Sequence, residues 1–129
     1  MKKLTLLGST GSIGLNTLDV VRMFPEQFRI EALSCRSSIE KLIEQIREFH
    51  PKTVCVDKGE KAGELKQIFP NKEFVFGMQG LEKISTNPET DLVVSGIVGA
   101  AGLKPTFSAL KAGKTVVLAN KEPLVMAGE

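Results

Sequence analysis

Residues 4–14 read LTLLGSTGSIG, an apolar run followed by glycines at positions 8, 11 and 14 interleaved with hydroxyl side chains. The run has the length of a short strand, and the small residues after it stand where a strand would turn into a helix. Each glycine has a distinct use in such a corner. Gly8 lets the chain leave the strand sharply, Gly11 keeps the backbone open to a phosphate, and Gly14 lets the helix approach the sheet. The N–H groups of residues 10 to 13 then lie at a helix start, where the dipole favours an anion. The hydroxyls of Ser9, Thr10 and Ser12 stand beside them. The spacing is G-x-x-G-x-x-G, not the stricter G-x-G-x-x-G, and a purely structural corner could carry the same letters. No Gly-Lys-Ser/Thr ending follows, which excludes a P-loop.

Context separates the two readings. Apolar β-branched runs at 3–7, 29–34, 53–57, 74–76, 91–95 and 115–119 alternate with segments of helical spacing. Ile39, Leu42, Ile43, Ile46 and Phe49 form one helical stripe, opened by "SSIE" and closed by Pro51. Ala62, Leu65, Ile68 and Phe69 form a second, and Leu103, Phe107 and Leu110 a third that stops at Gly113. Between 70 and 90 the pattern predicts a short edge strand, a short helix and a loop through "STNPET". Regular alternation of strand and helix means βαβ units with right-handed crossovers. Runs such as "LVVS" and "TVVLA" are apolar on both faces, as a sheet covered on both sides requires. The expected fold is α/β: a doubly wound, mostly parallel Rossmann-type sheet of about six strands with helices on both faces. The final "PLVMAGE" reads as the first turns of a further helix that is not completed.

The bulk properties narrow the function. A chain of 129 residues makes one domain with a real core. The net charge of +2 is too small, and the lysines too scattered, to argue for nucleic acid. "MKKLTLL" is too short in its apolar part for a signal peptide, and no window approaches a membrane span. Cys35 and Cys55, without an export signal, read as reduced thiols in the cytoplasm. His50, before a proline at a helix end, reads as a cap, and Asp57 and Asp91 stand singly.

In a parallel sheet, ligands sit beyond the carboxyl ends of the strands where the strand order reverses. The glycine turn occupies such an end. An NAD site places a carboxylate at the end of the second strand, whereas here that strand ends "ALSCRSS". Arg36, Ser37 and Ser38 stand where a ribose 2′-phosphate would lie, and arginine pairs with phosphate in bidentate fashion. NADPH is thus favoured over NADH, the other reading being a solvated arginine with two capping serines. "SGIVGAAG" at 95–102 follows the fifth strand; its small residues suit either a flat ring against the backbone or close helix–sheet packing. Asn120, Lys121 and Glu122 follow the sixth strand, offering an amide, a cation and a carboxylate to the same crevice.

Three stretches, "LTLLGSTGSIGLNTLDVVR", "IVGAAGLKPTFSALKAGK" and "VVLANKEPLVMAG", closely resemble the amino-terminal part of the 1-deoxy-D-xylulose 5-phosphate reductoisomerase family. That family uses NADPH to make 2-C-methyl-D-erythritol 4-phosphate in the non-mevalonate route to isoprenoids. The likeness covers the whole chain, with residues 39–90 matching only in pattern. It implies that Thr10, Gly11, Ser12 and Ile13 hold the NADPH pyrophosphate and that Arg36, Ser37 and Ser38 surround the 2′-phosphate. Asn120 and Glu122 would line the cofactor side of the active site, and Lys121 would contact the sugar-phosphate substrate. This chain departs from the family where Arg36 replaces a common glycine, Ser38 an asparagine and Pro123 a serine.

The resemblance further implies that residues 1–129 are the NADPH-binding domain alone, cut before the catalytic and carboxyl-terminal domains. The Asp-x-Glu ligands for magnesium or manganese would then lie beyond Glu129, leaving no catalytic residue and no metal ligand within this chain. The full enzyme is expected to be a cytoplasmic homodimer, and the fragment to bind cofactor without turnover. Two alternatives share the glycine turn. One is a stand-alone NADP(H)-binding module, and the other the cofactor domain of a semialdehyde dehydrogenase or dihydrodipicolinate reductase. "ANKE" argues against the second.

Overall fold

The computed structural model of the chain describes residues 1–36, 38–97, 103–118 and 125–127. Strand β1 (Lys2–Leu7) leads through the glycine turn into α1 (Ser12–Met23), followed by β2 (Phe28–Ser34), α2 (Ile39–Phe49), β3 (Thr53–Val56) and α3 (Gly59–Ile68). The remaining elements are β4 (Glu73–Phe76), α4 (Gly77–Ser85), β5 (Leu92–Ser95), α5 (Leu103–Lys111), β6 (Thr115–Leu118) and β7 (Val125–Ala127). The six expected strands lie within one residue of their positions, and the short strand and helix expected between 70 and 90 are β4 and α4.

One sheet runs in the order β4-β3-β2-β1-β5-β6-β7. β1 pairs in parallel with β2 on one side and β5 on the other, so the strand order reverses at β1. This is the switch point above which the glycine turn sits. Leu18, Val21, Leu42, Ile46, Ala62 and Leu65 bring α1, α2 and α3 onto one face, where Leu4 and Leu6 meet them. Ile84 and Ala109 bring α4 and α5 onto the other, against Leu7, Val93 and Val116. Neighbouring residues of β1 thus feed opposite layers, with about 2 kcal/mol of transfer free energy for each fully buried leucine. β2 carries a register shift: Leu4 pairs with Ile30 but Thr5 with Ala32, leaving Glu31 as the extra residue.

Helix ends follow the sequence closely. His50 is the cap of α2, as expected, and adopts the left-handed conformation with φ 51°; Pro51 prevents continuation. Cys35 and Cys55 are both buried and unpaired. They belong to opposite layers of the core, which keeps the thiols apart although the Cys35 N–H donates to the Cys55 carbonyl.

Three expectations need correction. "PLVMAGE" does not begin a helix: Val125–Ala127 form β7, antiparallel to β6, with Leu118 opposite Val125 and Val116 opposite Ala127. A four-residue apolar run has no readable period, and the open edge of β6 offers backbone partners that decide it. The third helical stripe also rotates. Phe107 is 63% exposed, and α5 buries Thr106 and Ala109 instead, because its neighbours α4 and β6 approach from that side. Ile68, at the last position of α3, is likewise exposed. Among the described residues no helix is long and apolar enough to cross a membrane.

Candidate functional site

The glycine turn is held from beneath by the end of β2. Gly8 has φ +81°, the left-handed conformation that lets β1 stop abruptly. Its N–H donates to both Ser34 Oγ (2.9 Å) and the Ser34 carbonyl, and the Ser9 N–H donates to the same carbonyl at 2.8 Å. Thr10 Oγ1 lies 3.6 Å from Cys35 Sγ. The turn is therefore seated before any ligand arrives.

The three glycines have separable roles. A Cβ on Gly14 would stand 2.3 Å from the Gly8 carbonyl oxygen and 2.6 Å from the Ser9 carbonyl carbon, so Gly14 exists for close packing. A Cβ on Gly11 would meet nothing nearer than the Gly8 carbonyl oxygen at 3.9 Å. Gly11 is the cap residue of α1 and makes no side-chain bond, so the amino end of the helix is open. The N–H groups of Thr10, Ser12 and Ile13 find no backbone acceptor among the described residues. That is the donor set an anion at a helix start requires.

Gly8 and Gly11 form one wall of a cavity of about 360 Å³ at the carboxyl edge of the sheet. Ser34, Cys35 and Arg36, at the end of β2, form the next. Asp57 follows β3, Met78 and Leu81 come from α4, and Gly96 and Ile97 follow β5. Gly96 settles half of the question about its run: a Cβ there would lie 3.3 Å from Ile13 Cβ and 3.4 Å from the Leu7 carbonyl, so its smallness serves packing. Arg36 is exposed and forms no ion pair among the described residues, leaving its guanidinium free to meet a phosphate. Ser38 is the cap residue of α2, and its hydroxyl makes no capping bond. Burial, aided by the Asp57 charge, pushes the Cys55 thiol up to about 12, so this wall of the cavity presents a neutral sulfur.

Of the residues expected from sequence, Gly11 and Arg36 line this crevice; Thr10 lies against Cys35, one of its wall residues, Ser12 and Ile13 open α1, and Ser38 caps α2. Ser37, Asn120, Lys121, Glu122 and the small residues from 98 to 102 lie outside the described residues. Sequence reading missed Ser34, which carries the turn, and Asp57, Met78 and Leu81, which form the far wall. Asp57 had a signal, since it directly follows β3 at the same sheet edge. Met78 and Leu81 had none, because α4 reaches the cavity only through the crossing of the β4 chain. A second hollow, about 480 Å³, lies along β4 and shares no residue with the crevice. It is flanked by Lys66, Lys72 and Glu73 beside the edge strand β4, where charged side chains discourage edge-to-edge pairing.

Among the described residues no group of three or more His, Cys, Asp or Glu is placed to hold a metal ion. The chemistry of the cavity fits a dinucleotide: N–H groups at a helix start with no backbone acceptor among the described residues, a glycine whose missing side chain keeps the cradle open, and, one strand away, an arginine with no ion pair among those residues.

The family model for 1-deoxy-D-xylulose 5-phosphate reductoisomerase matches residues 4–128. The reductoisomerase of Thermodesulfovibrio yellowstonii is 50% identical over 100% of this chain and 34% of its own length. That of Chlorobium phaeobacteroides is 51% identical over 99% of this chain and again 34% of its own. Among solved structures, a DOX-P reductoisomerase in complex with NADPH, fosmidomycin and magnesium superposes with a TM-score of 0.88 at 40% identity, over 95% of this chain and 31% of that one. The Zymomonas mobilis reductoisomerase in complex with NADPH gives 0.84 at 30% identity, over 93% and 32%. The chain spans about a third of the length of the relatives it matches. With the motif regions and the fold both in place, this chain belongs to the 1-deoxy-D-xylulose 5-phosphate reductoisomerase family.

Proposed function

We propose that residues 1–129 are the NADPH-binding domain of an enzyme that converts 1-deoxy-D-xylulose 5-phosphate to 2-C-methyl-D-erythritol 4-phosphate. The observation that carries the proposal is the pairing of two anion-binding features in one cavity. The open N–H groups of the glycine turn stand over the switch point, and Arg36 stands one strand away. Thr10, Gly11, Ser12 and Ile13 would receive the pyrophosphate through backbone N–H groups, with the helix dipole aligned toward it. Arg36, with Ser37 and Ser38, would take the 2′-phosphate. Asn120 and Glu122 would line the nicotinamide side and Lys121 would meet the sugar phosphate, since β6 runs parallel to β5 and ends at the same sheet edge.

NADPH, when bound, supplies the hydride. The chain's part is to hold the dinucleotide extended across the sheet edge and to keep bulk from the turn. In this reading the ligands of the divalent ion, magnesium or manganese, belong to the catalytic domain of the full enzyme. The full enzyme is a cytoplasmic homodimer in this reading, acting on a small sugar phosphate. The isolated chain binds NADPH without oxidising it; steady consumption of NADPH by the pure chain with substrate and magnesium would overturn that assignment.

Replacement of Arg36 by alanine tests the cofactor preference. Loss of a charge-assisted bidentate contact should weaken NADPH roughly thirtyfold and leave NADH within about a factor of two. Titration followed by the fluorescence of the reduced nicotinamide reads this directly, since the chain has no tryptophan or tyrosine to obscure it. Equal loss of both cofactors would remove Arg36 from the 2′-phosphate.

A further inference from the structure

Gln45 is a polar residue in the wrong place for stability. It lies on the buried face of α2 between Leu42 and Ile46, both fully buried, and is itself 6% exposed. Its Nε2 donates to the Ser9 carbonyl at 3.0 Å, across 36 residues of sequence. Among the described residues its Oε1 is buried with no partner, as is the Oγ of Ser9. A buried amide oxygen without a donor costs free energy, and an apolar side chain in this stripe would avoid the cost. A violation of that kind calls for a compensating role.

The position of the bond indicates the role. Ser9 is the second residue of the glycine turn, and its own N–H is already committed to the Ser34 carbonyl. Its carbonyl is drawn the other way, toward α2. In a planar trans peptide the carbonyl and the following N–H point to opposite sides. Holding the Ser9 carbonyl against Gln45 therefore turns the Thr10 N–H away from α2, and that N–H has no backbone acceptor among the described residues. The glutamine must present its nitrogen here, because a carbonyl only accepts.

We infer that Gln45 is a positioning residue that orients the Ser9–Thr10 peptide so that the Thr10 N–H is offered to the cofactor pyrophosphate. The inference rests on the proposal that the turn binds NADPH. α1 and α2 are braced against each other independently, through Arg22 Nη2 donating to Glu48 Oε1 at 2.8 Å and the Arg22 guanidinium over the Phe49 ring. Gln45 is thus not needed to hold the helices together.

Two variants test it. Gln45→Met removes the donor and keeps the length and packing; Gln45→Glu keeps the shape but turns the donor into an acceptor. Both are titrated with NADPH and NADH alongside the parent chain. The expected result is a loss of roughly tenfold for each cofactor, with the ratio of the two affinities unchanged, because the pyrophosphate is common to both. A general loosening of α2 would instead disturb Ser38 and the Arg36 loop at its start and lower the NADPH:NADH ratio. That result, or parental affinity in a folded Gln45→Met chain, overturns the inference. Failure of the parent chain to bind NADPH would overturn the cofactor reading instead. The ligand-free amide spectrum then judges the contact by itself: the Thr10 resonance shifts in Gln45→Met if the peptide is oriented by Gln45, and an unmoved Thr10 resonance refutes the inference.

Discussion

Replacing Gly14 by alanine is expected to destabilise the domain by on the order of 3 kcal/mol and to lower Tm by roughly 10 °C. By helix propensity alone the change should help, since alanine is worth about 1 kcal/mol more than glycine inside a helix. Geometry reverses the sign. The added Cβ would fall 2.3 Å from the Gly8 carbonyl oxygen and 2.7 Å from Ser9 Cα, backbone atoms that have nowhere to go because Ser34 already holds both residues. Either α1 lifts off the turn or the turn opens, and the cofactor cradle is lost in both events. Gly63 in α3 is the internal control. A Cβ there meets nothing within 4 Å, so Gly63→Ala should stabilise by about 0.5–1 kcal/mol. Thermal unfolding of the two variants, followed by far-ultraviolet circular dichroism, checks both signs. A Gly14→Ala domain as stable as the parent would show that the turn is not packed as described.

The second large effect is expected at Gly11, three residues earlier and opposite in character. Gly11→Asp should leave the fold intact, or stabilise it by about 0.5 kcal/mol, while weakening NADPH by at least about a hundredfold. Gly11 is the cap residue of α1, with φ −83° that any residue adopts and open space around the missing side chain. A carboxylate there accepts from the first-turn N–H groups and complements the helix dipole, which favours the fold. The same carboxylate occupies the donors meant for the pyrophosphate and repels its charge. Stability and affinity thus move in opposite directions for one substitution. A variant that is stable and still binds NADPH tightly would mean that the pyrophosphate lies elsewhere in the crevice.

The two glycines show how far sequence reaches into this site. Gly8, Gly11 and Gly14 are legible as a phosphate turn because the roles of all three are local, fixed by the step from β1 into α1. The crevice as a place is legible too, since alternation of strand and helix implies a parallel sheet and parallel sheets bind at their carboxyl edge. Arg36 follows from the same rule applied to β2. Applied to β3, it would also have found Asp57, which stood unclaimed only because a single carboxylate suggested no chemistry. Met78 and Leu81 could not have been found that way, for their helix is brought over the cavity by the pairing of β4 with β3. Spacing assigns Phe107 to an apolar stripe, yet which side of α5 is covered depends on where α4 lies.

By itself, the sequence determined the α/β alternation and the place of the glycine turn at the carboxyl edge of the sheet, and it set the expectation of a phosphorylated dinucleotide. Those features rest on periodicity and turn chemistry within a few residues, which any folded context preserves. Only the tertiary structure decided that Val125–Ala127 add an antiparallel strand to the edge of β6, that α5 turns Phe107 to solvent, and that Gln45 reaches the Ser9 carbonyl. Each of these depends on atoms far apart in the chain meeting at van der Waals or hydrogen-bond distance, and no local pattern encodes which surfaces will meet.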